Sequence, residues 1–162
     1  MSGTKWKNNN GFTIVEIIVV IAVIIAAFSA ILGFFVFESK VSERGQLRLK
    51  AISLAEEGIE AARNFRDNTV WASNGIGSLI TGTDYHPASS SAGWNIISGS
   101  EAINGFTRKI NFYKVYRDAN SNISASGTED SDTRKVTVVV SWSDRLGITD
   151  ESLVTYITNW RE

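Results

Sequence analysis

Glu16 is an acidic residue in an otherwise apolar stretch of the sequence. It is the only ionisable residue between Phe12 and Phe37, a run with eighteen Ile, Val, Leu and Phe residues and no proline. These eighteen contribute about −5 to −11 kcal/mol to membrane insertion, which one acidic residue near the end of the run opposes by at most about 3 kcal/mol. At about 1.5 Å per residue, the run can cross a hydrocarbon core of about 30 Å. Residues 12–37 are therefore predicted to form a transmembrane helix.

A carboxylate in such a segment is costly and is usually paired. The sequence Gly11-Phe12-Thr13, followed by two apolar residues and Glu16, heads the apolar run after a short basic leader. This pattern resembles the class III signal of type IV pilins and type II secretion pseudopilins. The resemblance implies that a prepilin peptidase cuts between Gly11 and Phe12 and methylates the new terminal amine of Phe12. It also implies that Glu16 pairs with the terminal ammonium of a neighbouring subunit during assembly, and two opposite buried charges do tolerate each other better than either tolerates lipid.

Two other interpretations of the apolar run are open. A secretory signal peptide could be cut near Ala27-Phe28-Ser29, but its apolar region spans only about 7–15 residues. Here apolar sequence continues to Phe37, which would leave an exposed apolar end after that cut. An ordinary uncleaved anchor has no use for Glu16. Both interpretations therefore account for less of the sequence than the pilin-like one.

Residues 1–11 are predicted to be a removable leader. Lys5 and Lys7 lie before the apolar run, so the positive-inside rule keeps this end in the cytoplasm and sends the rest outward. We expect a single-pass protein of the cytoplasmic (inner) membrane with an extracytoplasmic head. The formal net charge is −1, and losing these two lysines lowers it by two, to −3. Because no basic stripe remains, no direct nucleic-acid binding is expected.

The remainder of the chain offers few groups for catalysis. There is no cysteine, which excludes disulfides, thiolate metal sites and cysteine nucleophiles. The single histidine, His86, precedes Pro87 in a polar stretch, where a lone histidine is usually just solvated. Without a nucleophile–base pair or a phosphate-binding glycine loop, the sequence predicts no enzyme.

One polar loop partly imitates a calcium site. Its oxygen-bearing residues stand at the first, third, fifth and twelfth positions that a calcium loop uses: Asp118, Asn120, Asn122 and Glu129. The sixth position, which needs glycine for the sharp turn, is Ile123. A polar surface loop is the favoured interpretation, and apart from this weak calcium candidate no metal or cofactor is expected.

Residues 38–67 are predicted to continue the helix in amphipathic form, because apolar residues recur there at spacings of three and four. Residues 52–67 resemble the helix of PilV-type minor pilins and I-type pseudopilins. This segment contains a set of small residues, namely Ala55, Gly58, Ala61 and Ala62. They are expected to face the domain's own sheet, with close approach of another subunit as the alternative.

The C-terminal part is predicted to be a sheet. Residues 68–104 are rich in Ser, Gly, Asn and Thr and are interpreted as a variable connecting loop that scattered aromatic residues hold against the domain. Within residues 105–162, apolar and polar side chains alternate at Phe106–Tyr116 and Val136–Trp142, and Leu153–Trp160 is a third, mixed strand, as expected for antiparallel strands with one buried face. The predicted fold class is α+β and pilin-like: a long N-terminal helix, membrane-spanning in its first half, packed through its second half on a C-terminal antiparallel sheet.

Two functions of different classes follow. The first is a structural minor pilin or pseudopilin, with the prepilin peptidase, other pilin subunits and membrane lipid as partners. It would belong to a type IV pilus, a type II secretion pseudopilus or a competence filament. The alternative is a singly anchored extracytoplasmic binding module that does not polymerise and presents residues 68–104 and 118–129 to a ligand.

Overall fold

One long helix and one antiparallel sheet make up the computed structural model, which describes residues 11, 13–91, 93–144 and 147–160. Helix α1 spans Ile14–Asn68 and is followed by a 3-10 turn at Ile76–Ser78. The strands in these ranges are β1 (Asp84–Ser90), β2 (Gly93–Ser98), β3 (Glu101–Ile103), β4 (Phe106–Arg117), β5 (Ile123–Ser124), β6 (Thr128–Asp144) and β7 (Gly147–Thr158). The sheet order is β2-β1-β4-β6-β7, with β3 and β5 also paired to β4. The predicted α+β, pilin-like fold is confirmed.

The chain divides into two units, Met1–Glu43 and Arg44–Glu162. In the first unit the described residues are helical from Ile14 onward, and every large apolar side chain from Ile14 to Phe37 is between 48% and 78% exposed. The second unit contains the rest of α1, the sheet and the hydrophobic core. The two parts of α1 therefore differ in what their side chains contact, although the helix is assigned without a break.

The core of the second unit lies between α1 and one face of the sheet. The small residues of α1 are fully buried there, as expected for residues that face the domain's own sheet. The helix approaches the sheet closely at Gly58, where a Cβ atom would lie 2.9 Å from Cγ1 of Val138. The sheet contributes alternate residues to this core: Phe106, Ile110 and Phe112 from β4, and Val136, Val138, Val140 and Trp142 from β6.

A buried arginine ties α1 to the sheet. The Arg108 side chain is only 1% exposed, and its Nη2 donates to a carboxylate oxygen of Glu101 at 2.7 Å. Its Nη1 donates to the main-chain carbonyl oxygen of Leu54 at 3.0 Å and lies 3.4 Å from a carboxylate oxygen of Glu57. Since a buried charge is tolerated only when paired and hydrogen-bonded, this cluster fixes β3, β4 and α1 relative to one another.

The prediction that residues 68–104 form a connecting loop was wrong for much of this range. The sheet begins at Asp84 rather than at residue 105, because β1, β2 and β3 all lie inside the predicted loop. Pro87 is poorly suited to a strand, since proline donates no ladder hydrogen bond. It is nevertheless accommodated in β1, because the pairing of β1 with β4 involves only Asp84 and Tyr85 and Pro87 lies beyond it.

Trp71 supports the expectation that aromatic residues hold this region against the domain. It is only 8% exposed, and its indole Nε1 donates to the carbonyl oxygen of Ser131 at 3.0 Å. The segment after α1 is therefore packed on the sheet before β1 begins.

Candidate processing and assembly site

Of the residues that the sequence singled out, Glu16 lies in the first turn of α1 and Gly11 precedes the helix. Gly11 is exposed, Phe12 lies outside the described residues, and the helix starts at Ile14 with Glu16 in its first turn. The predicted leader lies, apart from Gly11, outside the described residues as well. The position of the expected cut is therefore immediately before the helix, where the backbone at Gly11 and Thr13 has no helical assignment.

Thr13 caps the helix, a role that the sequence reading missed. Its Oγ1 accepts a hydrogen bond from the backbone N–H of Glu16 at 3.3 Å, and its carbonyl oxygen accepts one from Ile17 at 3.2 Å. Thr13 is thus the N-cap residue and Glu16 the third helical residue, which is the Ser/Thr-x-x-Glu/Gln pattern of a capping box. The pattern was visible in the sequence. In a capping box the glutamate side chain also accepts from the backbone N–H of the N-cap residue, and this local role of Glu16 must be distinguished from a role in assembly.

The Glu16 side chain is exposed and lies beside Ile17, Val20 and Ile21. Among the described residues it makes no ion pair. A carboxylate in the first turn of a helix gains about 0.3–1 kcal/mol from the helix dipole, less than the cost of placing a charge in an apolar medium. An additional cationic partner would therefore stabilise Glu16 wherever lipid or other apolar side chains surround it.

The apolar part of α1 has no covering partner within the described chain. A window of 18 residues in this helix has a mean hydropathy of 3.1 and none of it is buried. A helix that is apolar on every side is typical of a membrane span or of the core of a larger assembly. The described residues thus contain one N-terminal apolar helix suited to anchoring the chain in a membrane.

The polar loop after β4 has a geometry of its own. One carboxylate oxygen of Asp118 accepts hydrogen bonds from the backbone N–H groups of Asn120 (2.8 Å) and Asn122 (2.9 Å). Glu129 instead accepts a hydrogen bond from Lys114 at 2.8 Å. Ile123 begins β5, so the loop closes as a short extra strand pair on β4. In the ranges that the structure covers, no three His, Asp or Glu side chains are arranged to hold a metal ion.

Hydrogen bonds hold the pKa of three aspartates in the second unit below the ordinary value of 3.8. For Asp118 the main cause is the hydrogen bond from the backbone of Asn122. For Asp84 it is the hydrogen bond from the Asn111 side chain. Burial raises the pKa of Asp130, but hydrogen bonds, that from Arg117 first, outweigh it and the net pKa is lowered. These carboxylates stabilise the fold and do not converge on a common site.

His86 lies in β1 and is half-buried, and its Nδ1 is 3.3 Å from the carbonyl oxygen of Pro87. The structure therefore places it in a strand rather than in the predicted loop.

The comparisons with known proteins agree with the N-terminal residues. Residues 6–32 match the prokaryotic N-terminal methylation motif. No curated protein and no solved structure gives a significant match to the chain. The chain thus carries this methylation motif on a pilin-like fold. Both features are typical of type IV pilin-like proteins, which are structural rather than enzymatic and which a prepilin peptidase processes before the subunits associate.

Proposed function

We propose that this chain is a minor pilin or pseudopilin, a structural subunit of a type IV pilus or of a type II secretion pseudopilus. The observation that carries the proposal is the coincidence of the methylation motif with the start of α1. The motif match at residues 6–32 covers Gly11, Glu16 and most of the uncovered apolar part of the helix. A minor rather than a major subunit is favoured by the resemblance of residues 52–67 to PilV-type and I-type helices.

In the proposed mechanism, the prepilin peptidase removes residues 1–11 and methylates the amine of Phe12. The mature chain is held in the cytoplasmic membrane by its apolar helix, with the second unit outside. On assembly the same apolar surface packs against other subunits, because lipid-exposed side chains exchange one apolar environment for another at little cost. Glu16 then sets the axial register by pairing with the terminal ammonium of a neighbouring subunit, which neutralises two charges in an apolar interior.

Glu16 has two possible roles, and one substitution separates them. Glutamine serves in a capping box as well as glutamate does, so Glu16→Gln keeps the helix start that Thr13 organises and removes only the charge. We expect Glu16→Gln and Glu16→Ala to be processed normally and to be depleted from sheared filaments by about tenfold or more, as the loss of about 1.4 kcal/mol per contact would give.

The matched control is Glu38→Gln, which removes an exposed carboxylate from the same helix beyond the apolar run. It should enter filaments at the normal level. If Glu16→Gln also enters filaments normally, Glu16 acts through capping alone and the assembly role is wrong. If the unsubstituted chain stays wholly with the membranes when filaments are sheared off, the result favours the alternative function, a singly anchored binding module that does not polymerise.

A further inference from the structure

Strand β7 forms one edge of the sheet. It is the last strand in the order β2-β1-β4-β6-β7, and in the part of the chain that the structure describes it pairs only with β6. It is twelve residues long, contains no proline, and its pairing with β6 shows no register shift from Thr158 to Gly147. A long and regular edge strand presents a row of unpaired backbone groups that another strand can join.

The register identifies which backbone groups face outward. Asp144 pairs with Gly147 across only two intervening residues, so this pair exchanges both of its backbone hydrogen bonds. Hydrogen-bonded and non-hydrogen-bonded pairs then alternate along β7. It follows that the N–H and C=O groups of Ser152, Val154 and Tyr156 point away from β6, toward the open edge.

The usual protection of an edge strand is present at only one end of β7. Asp150 and Glu151 put charge near its start, but the stretch Ser152–Thr158 has none. Val154 is 51% exposed and Tyr156 is 45% exposed. An uncharged edge rich in β-branched and aromatic residues promotes uncontrolled strand pairing unless something covers it.

The surface beside this edge indicates the charge of a partner that could cover it. A groove of about 730 Å³ lies between α1 and β7. It is lined by Ser53, Glu56, Glu57, Ile59, Glu60 and Arg63 of α1 and by Leu153, Val154 and Thr155 of β7. Glu60 lies 3.3 Å from Arg63 of the groove, and Glu57 lies 3.4 Å from the buried Arg108, which also pairs with Glu101. Glu56 makes no ion pair among the described residues, so the groove has an excess of negative charge.

We propose that the β7 edge and this groove bind an extended segment of another protein, which adds a strand to the sheet and directs lysine or arginine side chains toward Glu56 and Glu60. The backbone of β7 supplies the hydrogen bonds of strand addition, and the acidic row of α1 selects basic side chains on one face of the added strand. The proposal does not depend on processing at Gly11 or on filament assembly.

A second copy of the chain fits this edge less well. Two β7 strands paired with each other would bring two rows of Glu56 and Glu60 together on the same face of the joint sheet, and like charges repel. The opposite edge of the sheet is β2, and Gly93–Ser98 has no basic residue that could complement the groove. The charge distribution thus favours a different, basic partner.

The test uses the full chain in detergent micelles and a fluorescent, capped peptide of alternating threonine and lysine, with binding followed by fluorescence anisotropy. We expect this peptide to bind, and to bind about tenfold more tightly than the same peptide with glutamate in place of lysine. A lysine peptide methylated on every backbone nitrogen keeps its charge but cannot donate to the edge, and should bind at least about tenfold more weakly.

Two substitutions locate the site. Val154→Pro removes an outward N–H without removing a bond to β6 and should weaken binding about tenfold, whereas Val154→Thr keeps the N–H and should bind normally. The double change Glu56→Lys and Glu60→Lys alters exposed helix positions only and should reverse the preference between the lysine and glutamate peptides. The proposal is overturned if the lysine peptide does not bind, or if the methylated peptide binds equally well. It is also overturned if the charge reversal leaves the preference between the peptides unchanged, or if the chain dimerises and Val154→Pro abolishes the dimer.

Discussion

Gly58→Ala tests the close contact between α1 and the sheet at Gly58. In an exposed helix this change gains about 1 kcal/mol, because alanine has the higher helix propensity. At position 58 the new Cβ atom would lie 2.9 Å from Cγ1 of Val138, with Cγ2 of Val138 and Cδ of Arg108 at 3.5 Å. Overpacking of this kind costs about 1–3 kcal/mol. We therefore expect a net loss of about 1 kcal/mol, or roughly 4 °C in Tm, for a unit of this size.

The reasoning is checked by thermal unfolding of the full chain in micelles, followed by tryptophan fluorescence. Gly45→Ala is the matched control, since Gly45 is in the same helix and a Cβ atom there would meet nothing within 4 Å. It should raise Tm by a few degrees, as its propensity gain of up to about 1 kcal/mol allows. In a Val138→Ala background the obstructing methyl groups are gone, so Gly58→Ala should become stabilising, with a coupling of about 2 kcal/mol. A stabilising Gly58→Ala in the unsubstituted chain, or strict additivity in the double variant, would refute the close-contact argument.

The other predictions concern charged groups of the second unit. Arg108→Ala should destabilise it by about 3–5 kcal/mol, because a fully buried, paired guanidinium and its packing are lost. Glu101→Gln should cost less, about 1–2 kcal/mol, since the Glu101 side chain is 31% exposed and Glu57 still faces the guanidinium; equal effects of the two changes in denaturant unfolding would contradict this ranking. The lowered pKa values of Asp84, Asp118 and Asp130 give stability that is present above about pH 4, the unfolded pKa, and is lost as the pH falls through the lower folded values. Tm should accordingly fall below about pH 4, and a constant Tm from pH 5 to pH 2 would contradict the assigned hydrogen bonds.

The elements that sequence reasoning found are those with strong periodicity. The apolar run and the rows of small and apolar residues after it predicted α1 almost to its end at Asn68. Alternation predicted the central parts of β4 and β6, and a third, mixed strand was predicted at Leu153–Trp160, where the second half of β7 lies. In each case a side chain faces either the core or solvent because of its position in the repeat, and this leaves a direct trace in the sequence.

The elements that sequence reasoning missed, β1 to β3 and the Arg108 cluster, depend on pairing with other parts of the chain. Strands β1 to β3 are short and β1 contains Pro87, so they depend on their partners: β1 and β3 pair with β4, and β2 pairs with β1. The Arg108 cluster likewise joins residues more than fifty positions apart, Arg108 and Leu54, and no local pattern predicts such a contact. At the candidate site the motif residues were predictable, whereas the capping role of Thr13 required the position at which the helix begins.

The central claim is that the chain is cut after Gly11 and assembled as a pilin-like subunit. The most direct measurement is the intact mass and N-terminal sequence of the protein recovered from its native membrane. The account predicts a chain that begins at Phe12 and carries one additional methyl group. A chain that begins at Met1, or near Ala30 after a conventional signal cleavage, would contradict it and would favour an anchored or secreted binding domain.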